Sequence, residues 1–138
     1  MKIITAMFPH WFTAELKAYA EQEDKLPVDQ HQLIALLAPR PVYVASASED
    51  HWADPRGEFL ATRSAAQVYH LFGMGTNEFS AMPAAGEALT GLVSYHLRDG
   101  KHDMLEFDWR HYLYFADCYL KAGRIFDSGS HCSPYRDL

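Results

Sequence analysis

Residues 40–52 constrain the fold of this chain more than any other stretch, because an apolar run stops there at an acidic and aromatic loop. Residues 42–45 are β-branched, aromatic and small without alternation, the pattern of a strand buried on both faces of a parallel sheet. Pro39 and Pro41 disfavour a helix on the upstream side. Open α/β sheets bind ligands beyond the carboxyl ends of their strands, so we expect chemistry in the loop that follows.

A histidine follows a second predicted strand in the same way. Residues 92–98 form that strand, and the loop after it contains His102, whereas the loop after the first strand contains Glu49 and Asp50. An acid after one strand and a histidine after a later one is the order of the last two triad members in α/β-hydrolases. Asp50 would orient the imidazole, with Glu49 as its competitor, and His102 would carry the proton. The structural alternative is a turn carboxylate and a surface histidine.

The nucleophile that would complete this triad has no candidate in the sequence. No Gly-x-Ser-x-Gly elbow occurs, and no serine lies between a strand and a helix ahead of Asp50. Ser46 and Ser48 belong to the end of the first strand. An acid and a base without a nucleophile cannot perform acyl transfer, so we expect the chain alone to be inactive.

The remaining pattern predicts four helices around these two strands. They cover residues 13–23, 30–37 with Asp29 as N-cap, 58–72 and 105–121, with a turn at 53–57 and an irregular surface loop at 73–91. The last helix has the clearest apolar face, formed by Leu105, Trp109, Tyr112, Leu113, Ala116 and Leu120. A sheet of only two strands would leave its apolar faces and its unpaired edges exposed. The sequence therefore predicts an α/β fold with an incomplete sheet over residues 1–121, followed by a polar, frayed tail at 122–138.

Composition and charge exclude several classes of function. A net charge of −6 without a basic run argues against a nucleic-acid partner. No segment is long and apolar enough to span a membrane, and the N-terminus does not resemble a signal peptide. No HExxH motif occurs, and Asp29 and His31 are adjacent in sequence rather than convergent, so we expect no metal and no cofactor.

The two cysteines leave one question open. Cys118 falls in the last predicted helix, where a small core residue is expected, and Cys132 falls in the polar tail. Two cysteines do not form a disulfide framework, and a single disulfide between them is the alternative. Trp52 has two interpretations as well: its flat apolar face suits a sugar ring, and it could equally anchor the loop.

Several motifs taken together resemble one family, the bacterial glucuronoyl esterases of carbohydrate esterase family fifteen. The motifs occur in order at residues 8–12, 26–31, 36–47, 49–59 and 100–103. The resemblance extends from about Ile3 to Lys121 and implies the C-terminal part of a three-layer α/β-hydrolase fold. It implies a serine esterase that cleaves 4-O-methyl-glucuronate esters between xylan and lignin alcohols, in a secreted or periplasmic location.

Carried over by position, the resemblance implies that Asp50 is the acid after the seventh strand, His102 the catalytic histidine and Trp52 the tryptophan that contacts glucuronate. The family's Gly-Cys-Ser-Arg elbow, its sugar-binding lysine and an alternative acid are expected upstream of Met1, so a missing N-terminal half is an expected partner. The alternatives to an esterase are a non-catalytic remnant that binds sugar or another chain, and a truncated gene product.

Overall fold

The computed structural model describes residues 1–76 and 78–120. These residues form five α-helices and three strands, with short 3₁₀ turns at Pro9–Trp11 and Glu23–Lys25. The elements are α1 (Lys2–Met7), α2 (Ala14–Lys17), α3 (Gln30–Ala35), β1 (Val42–Ala47), α4 (Pro55–Leu71), β2 (Glu87–Leu89), β3 (Val93–Arg98) and α5 (Glu106–Tyr119).

The described sheet has the order β1-β3-β2, with β1 parallel to β3 and β2 antiparallel to it. The central strand, β3, is buried at every residue. β1 lies at one edge of this sheet and is only half-buried at Tyr43, Val44 and Ala45. Both predicted strands are confirmed, but the first is not buried on both faces within the part of the chain that the structure describes.

Helices cover the two faces of β3, and alternate residues of the strand point to each face. Val93 and Tyr95 pack with Phe59 and Tyr69 of α4 in the hydrophobic core. On the opposite face, His96 contacts aromatic side chains of α5. The arrangement of helix, sheet and helix confirms the predicted α/β class and its three layers.

Hydroxyl groups tie this core to the backbone around the site. Tyr95 donates to the carbonyl of Pro55 at 3.0 Å, and Tyr69 donates to the carbonyl of Arg40 at 2.7 Å. Burial raises the pKa of Tyr95 to about 12, so the hydroxyl remains a donor. These bonds fix the start of α4 and the entry to β1, the two elements that flank the Asp50 loop.

Helix caps explain which helix predictions hold. Asp29 caps α3 as predicted, and Gln32 completes a capping box by accepting from the N–H of Asp29. The predicted turn at 53–57 is wrong in part: α4 begins at Pro55 because Asp54 accepts from the N–H of Gly57 and proline suits a first helical position. The predicted helix at 13–23 is shorter, with only one turn in α2.

The segment predicted as an irregular surface loop, 73–91, contains two structured parts. Its end forms β2, which pairs with β3, and Phe79 is buried against Phe59 with ring centroids 6.1 Å apart. Sparse apolar residues among Gly, Pro and Ala give no periodicity, so strand pairing and burial here are set by tertiary contact rather than by local pattern.

The predicted inner face of α5 is also wrong in part. Trp109, Leu113 and Leu120 are 53, 62 and 66% exposed. The residues that α5 buries are Asp108, His111, Phe115 and Cys118. Of the predicted face, Tyr112 does contact the sheet, through Tyr43 and His96, whereas its most apolar residues are exposed.

Cys118 is buried and disulfide-bonded, which corrects the expectation of a simple core thiol. Cys132 and the predicted frayed tail at 122–138 lie outside the described residues. No helix within 1–76 and 78–120 has the length and apolar character needed to cross a bilayer.

Candidate active site

The loops after β1 and β3 are joined by hydrogen bonds between their backbones. The N–H of Ser48 donates to the carbonyl of Arg98, and that of Glu49 donates to the carbonyl of Gly100, both at 2.8 Å. The Ser48 hydroxyl lies 3.0 Å from a carboxylate oxygen of Asp99 and also accepts from the N–H of Gly100. These bonds extend the parallel β1–β3 pairing beyond the strands and hold the two loops side by side.

This arrangement brings together the acid and the base predicted from the sequence. The Nδ1 atom of His102 lies 2.5 Å from Oδ2 of Asp50, across 52 positions of the chain. A carboxylate only accepts, so Nδ1 carries the proton and donates it to Asp50. Because Nδ1 is committed to this bond, Nε2 is the imidazole nitrogen that remains for a proton transfer.

The hydrogen bond and negative charge of Asp50 raise the pKa of His102 above its ordinary value of 6.5. Asp103 contributes in the same direction, and the positive charge of Arg98 opposes it. The His102 side chain is 89% exposed whereas that of Asp50 is 11% exposed. The carboxylate is therefore enclosed and the imidazole faces outward.

The competing acid, Glu49, does not contact His102. Its backbone pairs with Gly100, and the residue is exposed. Trp52 lies two residues past Asp50 in the turn that leads to α4, and it is 73% exposed. Asp50 and Trp52 therefore lie in the loop after β1, and His102 lies in the adjacent loop after β3. The indole of Trp52 is open to solvent.

A cavity of about 140 Å³ lies beside the Asp50–His102 pair. Its walls include Ser46, Glu58, Arg98 and Tyr112. Glu58 accepts from the Ser46 hydroxyl at 2.6 Å, and burial raises the pKa of this carboxyl, with the charges of Asp50 and Asp54 acting in the same direction. Glu58 also lines a larger neighbouring cavity of about 520 Å³ between α3 and α4.

A second histidine–aspartate pair lies beneath the first. Nε2 of His96 is 2.8 Å from Oδ1 of Asp108, and Nδ1 of His96 is 3.0 Å from the hydroxyl of Tyr43. Both members of the pair are buried. Burial lowers the pKa of His96 although Asp108 acts in the opposite direction. This imidazole is therefore neutral at neutral pH, donating to Asp108 and accepting from Tyr43.

Sequence reasoning missed several residues that build this site: Ser48, Glu58, Arg98 and Asp108. Ser48 had been assigned only to the strand end, and Asp108 lies on the helix face that hydropathy predicts to be outward. Among the residues that the structure describes, no group of three or more His, Cys, Asp or Glu could hold a metal ion.

Comparisons with known proteins place this chain in a family. The family model described as glucuronyl esterase, fungi, matches residues 2–73. Carbohydrate esterase MZ0003, from an unknown prokaryotic organism, is 48% identical over 120 residues, which cover 87% of this chain and 28% of that protein.

Two solved structures agree. A glucuronoyl esterase from Solibacter usitatus superposes with a TM-score of 0.78 at 45% identity, covering 84% of this chain and 30% of that one. A promiscuous CE15 esterase from a marine bacterial metagenome gives a TM-score of 0.76 at 49% identity, covering 83% and 29%. The chain spans less than a third of the length of these relatives. It belongs to the glucuronoyl esterase family.

Proposed function

We propose that this chain supplies the acid and the base of a glucuronoyl esterase active site, of the serine type. The observation that carries the proposal is the 2.5 Å contact between Nδ1 of His102 and Asp50, at the carboxyl ends of two parallel strands. The names of its relatives support an ester substrate, and glucuronoyl methylesterases are among them.

In the proposed mechanism His102 acts through Nε2. It takes the proton from a serine hydroxyl as the oxygen attacks the ester carbonyl, and it returns that proton to the leaving alcohol. A water molecule then repeats the sequence on the acyl-enzyme, releasing the free acid and the serine. Asp50 stabilises the imidazolium in both steps and keeps the proton of the resting imidazole on Nδ1.

Trp52 is the proposed sugar contact. A largely exposed indole two residues from the acid in sequence offers a flat apolar surface to a sugar ring. We propose that it packs against the glucuronate ring of an ester between glucuronoxylan and a lignin alcohol. No cofactor and no metal enter this mechanism.

We propose that the serine in this mechanism comes from outside the described residues, and two surfaces support a partner that provides it. β1 is an edge strand in the described sheet, so one side of its backbone is available for a further strand. The outer face of α5 exposes Trp109 and Leu113. We propose that the N-terminal part of an α/β-hydrolase domain, with its strands and nucleophile, covers both surfaces.

A chimera tests this proposal. In it, the 138-residue chain replaces the matching segment of the Solibacter usitatus esterase, and hydrolysis of a benzyl glucuronate ester is measured. We expect turnover by the chimera and none by the chain alone. His102→Gln in the chimera should lower kcat by about 10²- to 10⁴-fold, whereas His51→Gln, an exposed histidine on the neighbouring loop, should leave kcat unchanged.

A folded chimera whose turnover survives His102→Gln would contradict the proposed base. Turnover by the isolated chain that His102→Gln abolishes would contradict the proposed need for an external nucleophile.

A second candidate function is non-catalytic carbohydrate binding. The 520 Å³ cavity favours this function. Its lining includes Ala53, the residue that follows Trp52 in the sequence, and the polar side chains of Asp29, Gln30 and Asp54 can hydrogen-bond sugar hydroxyls. Binding of glucuronoxylan fragments to the isolated chain, lost in Trp52→Ala, together with an inactive chimera would favour this function over the esterase.

A further inference from the structure

The guanidinium of Arg98 contacts the backbone on both sides of His102. Nη1 donates to the carbonyl of Asp99 at 2.8 Å, and Nη2 donates to the carbonyls of Lys101 and Asp103 at 2.6 and 2.9 Å. Lys101 and Asp103 are the immediate neighbours of His102 in sequence. One side chain therefore holds the three carbonyls that determine the path of the loop carrying the proposed base.

The guanidinium is itself fixed by helix α5. Nε lies 2.9 Å from Oδ2 of Asp108, as a close ion pair whose N–H does not point directly at the oxygen. The same oxygen accepts from the N–H of Leu105 at 2.6 Å, and the other oxygen contacts His96. Arg98 and Asp108 are each 4% exposed. The loop is thus connected through two buried charges to the helix and the central strand.

We propose that Arg98 is a positioning residue, which sets the distance between His102 and Asp50 by fixing the backbone around His102. The inference rests on the proposed role of His102 as a base, but it concerns how the pair is held rather than whether the ester is cleaved. An exposed imidazole has few packing contacts of its own, so the loop backbone must provide the order that the 2.5 Å contact needs.

Lysine at position 98 separates this role from a charge effect. It keeps the positive charge, but its single ammonium group cannot bridge a carboxylate and three carbonyls as a planar fork does. The charge of Arg98 by itself lowers the pKa of His102. Removing that charge alone would raise the pKa, whereas losing the alignment with Asp50 would lower it, so the sign of the change identifies the cause.

The test is an NMR titration of His102 in the 138-residue chain, independent of esterase activity. The variants are Arg98→Lys, Asp50→Asn and the double variant. The control is Arg110→Lys, since Arg110 is an exposed arginine that pairs with Glu106 on the same helix. We expect Arg98→Lys to lower the midpoint of His102 towards 6.5, with no further decrease when Asp50→Asn is already present. Arg110→Lys should leave the midpoint unchanged.

Two results would overturn the proposal. One is a folded Arg98→Lys variant with the midpoint of the unmodified chain, and the other is an equal decrease with and without Asp50. If Arg98→Lys does not fold, the guanidinium NMR signals of the unmodified chain test whether the Arg98 side chain is held in place. Resolved, slowly exchanging Nη protons of Arg98 support the fixed loop, and averaged signals of a freely rotating group contradict it.

Discussion

Two histidine–aspartate pairs lie close together in this chain and differ mainly in burial. His102 and Asp50 meet at the ends of two loops, with the imidazole 89% exposed. His96 and Asp108 meet between β3 and α5, with the imidazole fully buried. The acid raises the pKa of the first histidine, whereas burial lowers the pKa of the second despite its acid.

The difference shows that a carboxylate partner alone does not make a histidine a proton carrier. In the exposed pair, the imidazolium keeps its hydration and gains the attraction of the acid, so the pKa of the histidine is raised. In the buried pair, desolvation outweighs that attraction and the ring stays neutral. These opposite shifts fit the proposed role of His102 in proton transfer and a structural role for His96, which joins α5 to β3 through Asp108.

The largest expected effect comes from removing the buried acid. Asp108→Ala should lower the free energy of unfolding by about 3–5 kcal/mol, because it leaves the guanidinium of Arg98 buried without its counter-ion. Asp50→Ala should cost less, because its partner His102 is exposed and stays hydrated when the carboxylate is removed. Urea unfolding of both variants measures the difference, and equal losses would mean that burial does not separate the two pairs.

The next effect is on the pH dependence of stability. The folded pKa of His96 lies below its ordinary value of 6.5, so the unfolded chain binds more protons and stability decreases as the pH falls below about 6.5. His102 has the opposite sign: its raised pKa stabilises the folded chain below pH 6.5, and that contribution is lost as the pH rises through the folded pKa.

Urea unfolding at about pH 7.5 and pH 5 tests these signs. We expect the unmodified chain to be less stable at the lower pH. His96→Gln should flatten this dependence and His102→Gln should not. A dependence that disappears in His102→Gln instead would reverse the assignment of the two histidines.

A smaller effect is expected at Tyr43, whose hydroxyl donates to His96. Tyr43→Phe keeps the ring that packs on Tyr112 and Phe115 but leaves Nδ1 of His96 without this donor, which should cost about 1 kcal/mol. Tyr19→Phe, at a half-buried tyrosine in the N-terminal region, is the control and should have no measurable effect. Equal stability of the Tyr43→Phe variant and the unmodified chain would argue against a fixed tautomer of His96.

The sequence predicted those parts of the fold that have a strong local signal. β1 and β3 follow from their apolar runs, and α3 follows from Asp29 as its cap. β2 and the burial of Phe79 were missed because they depend on contact with β3 and α4 rather than on periodicity. The inner face of α5 was predicted wrongly in part because its buried side includes Asp108, whose burial only an ion pair with another element can compensate.

The site was predictable to a similar degree. The meeting of Asp50 and His102 follows from their positions after two strands, since parallel strands bring their carboxyl ends to one edge. Position after the strand left Glu49 as a competitor of Asp50, which the resemblance favoured, and the backbone bonds of Ser48 and Glu49 explain why Asp50 is the residue that meets His102. The role of Arg98 had no sequence signal, because its partners are backbone carbonyls that every residue has.

The most direct measurement of the central claim is one NMR titration that follows both histidines in the same sample of the unmodified chain, repeated with Asp50→Asn. We expect the midpoint of His102 to lie above 6.5 and to fall towards that value in Asp50→Asn, while the midpoint of His96 lies below 6.5 in both samples. A His102 midpoint that does not respond to Asp50→Asn, or that lies below the midpoint of His96, would contradict the assignment of His102 and Asp50 as the base and acid of this site.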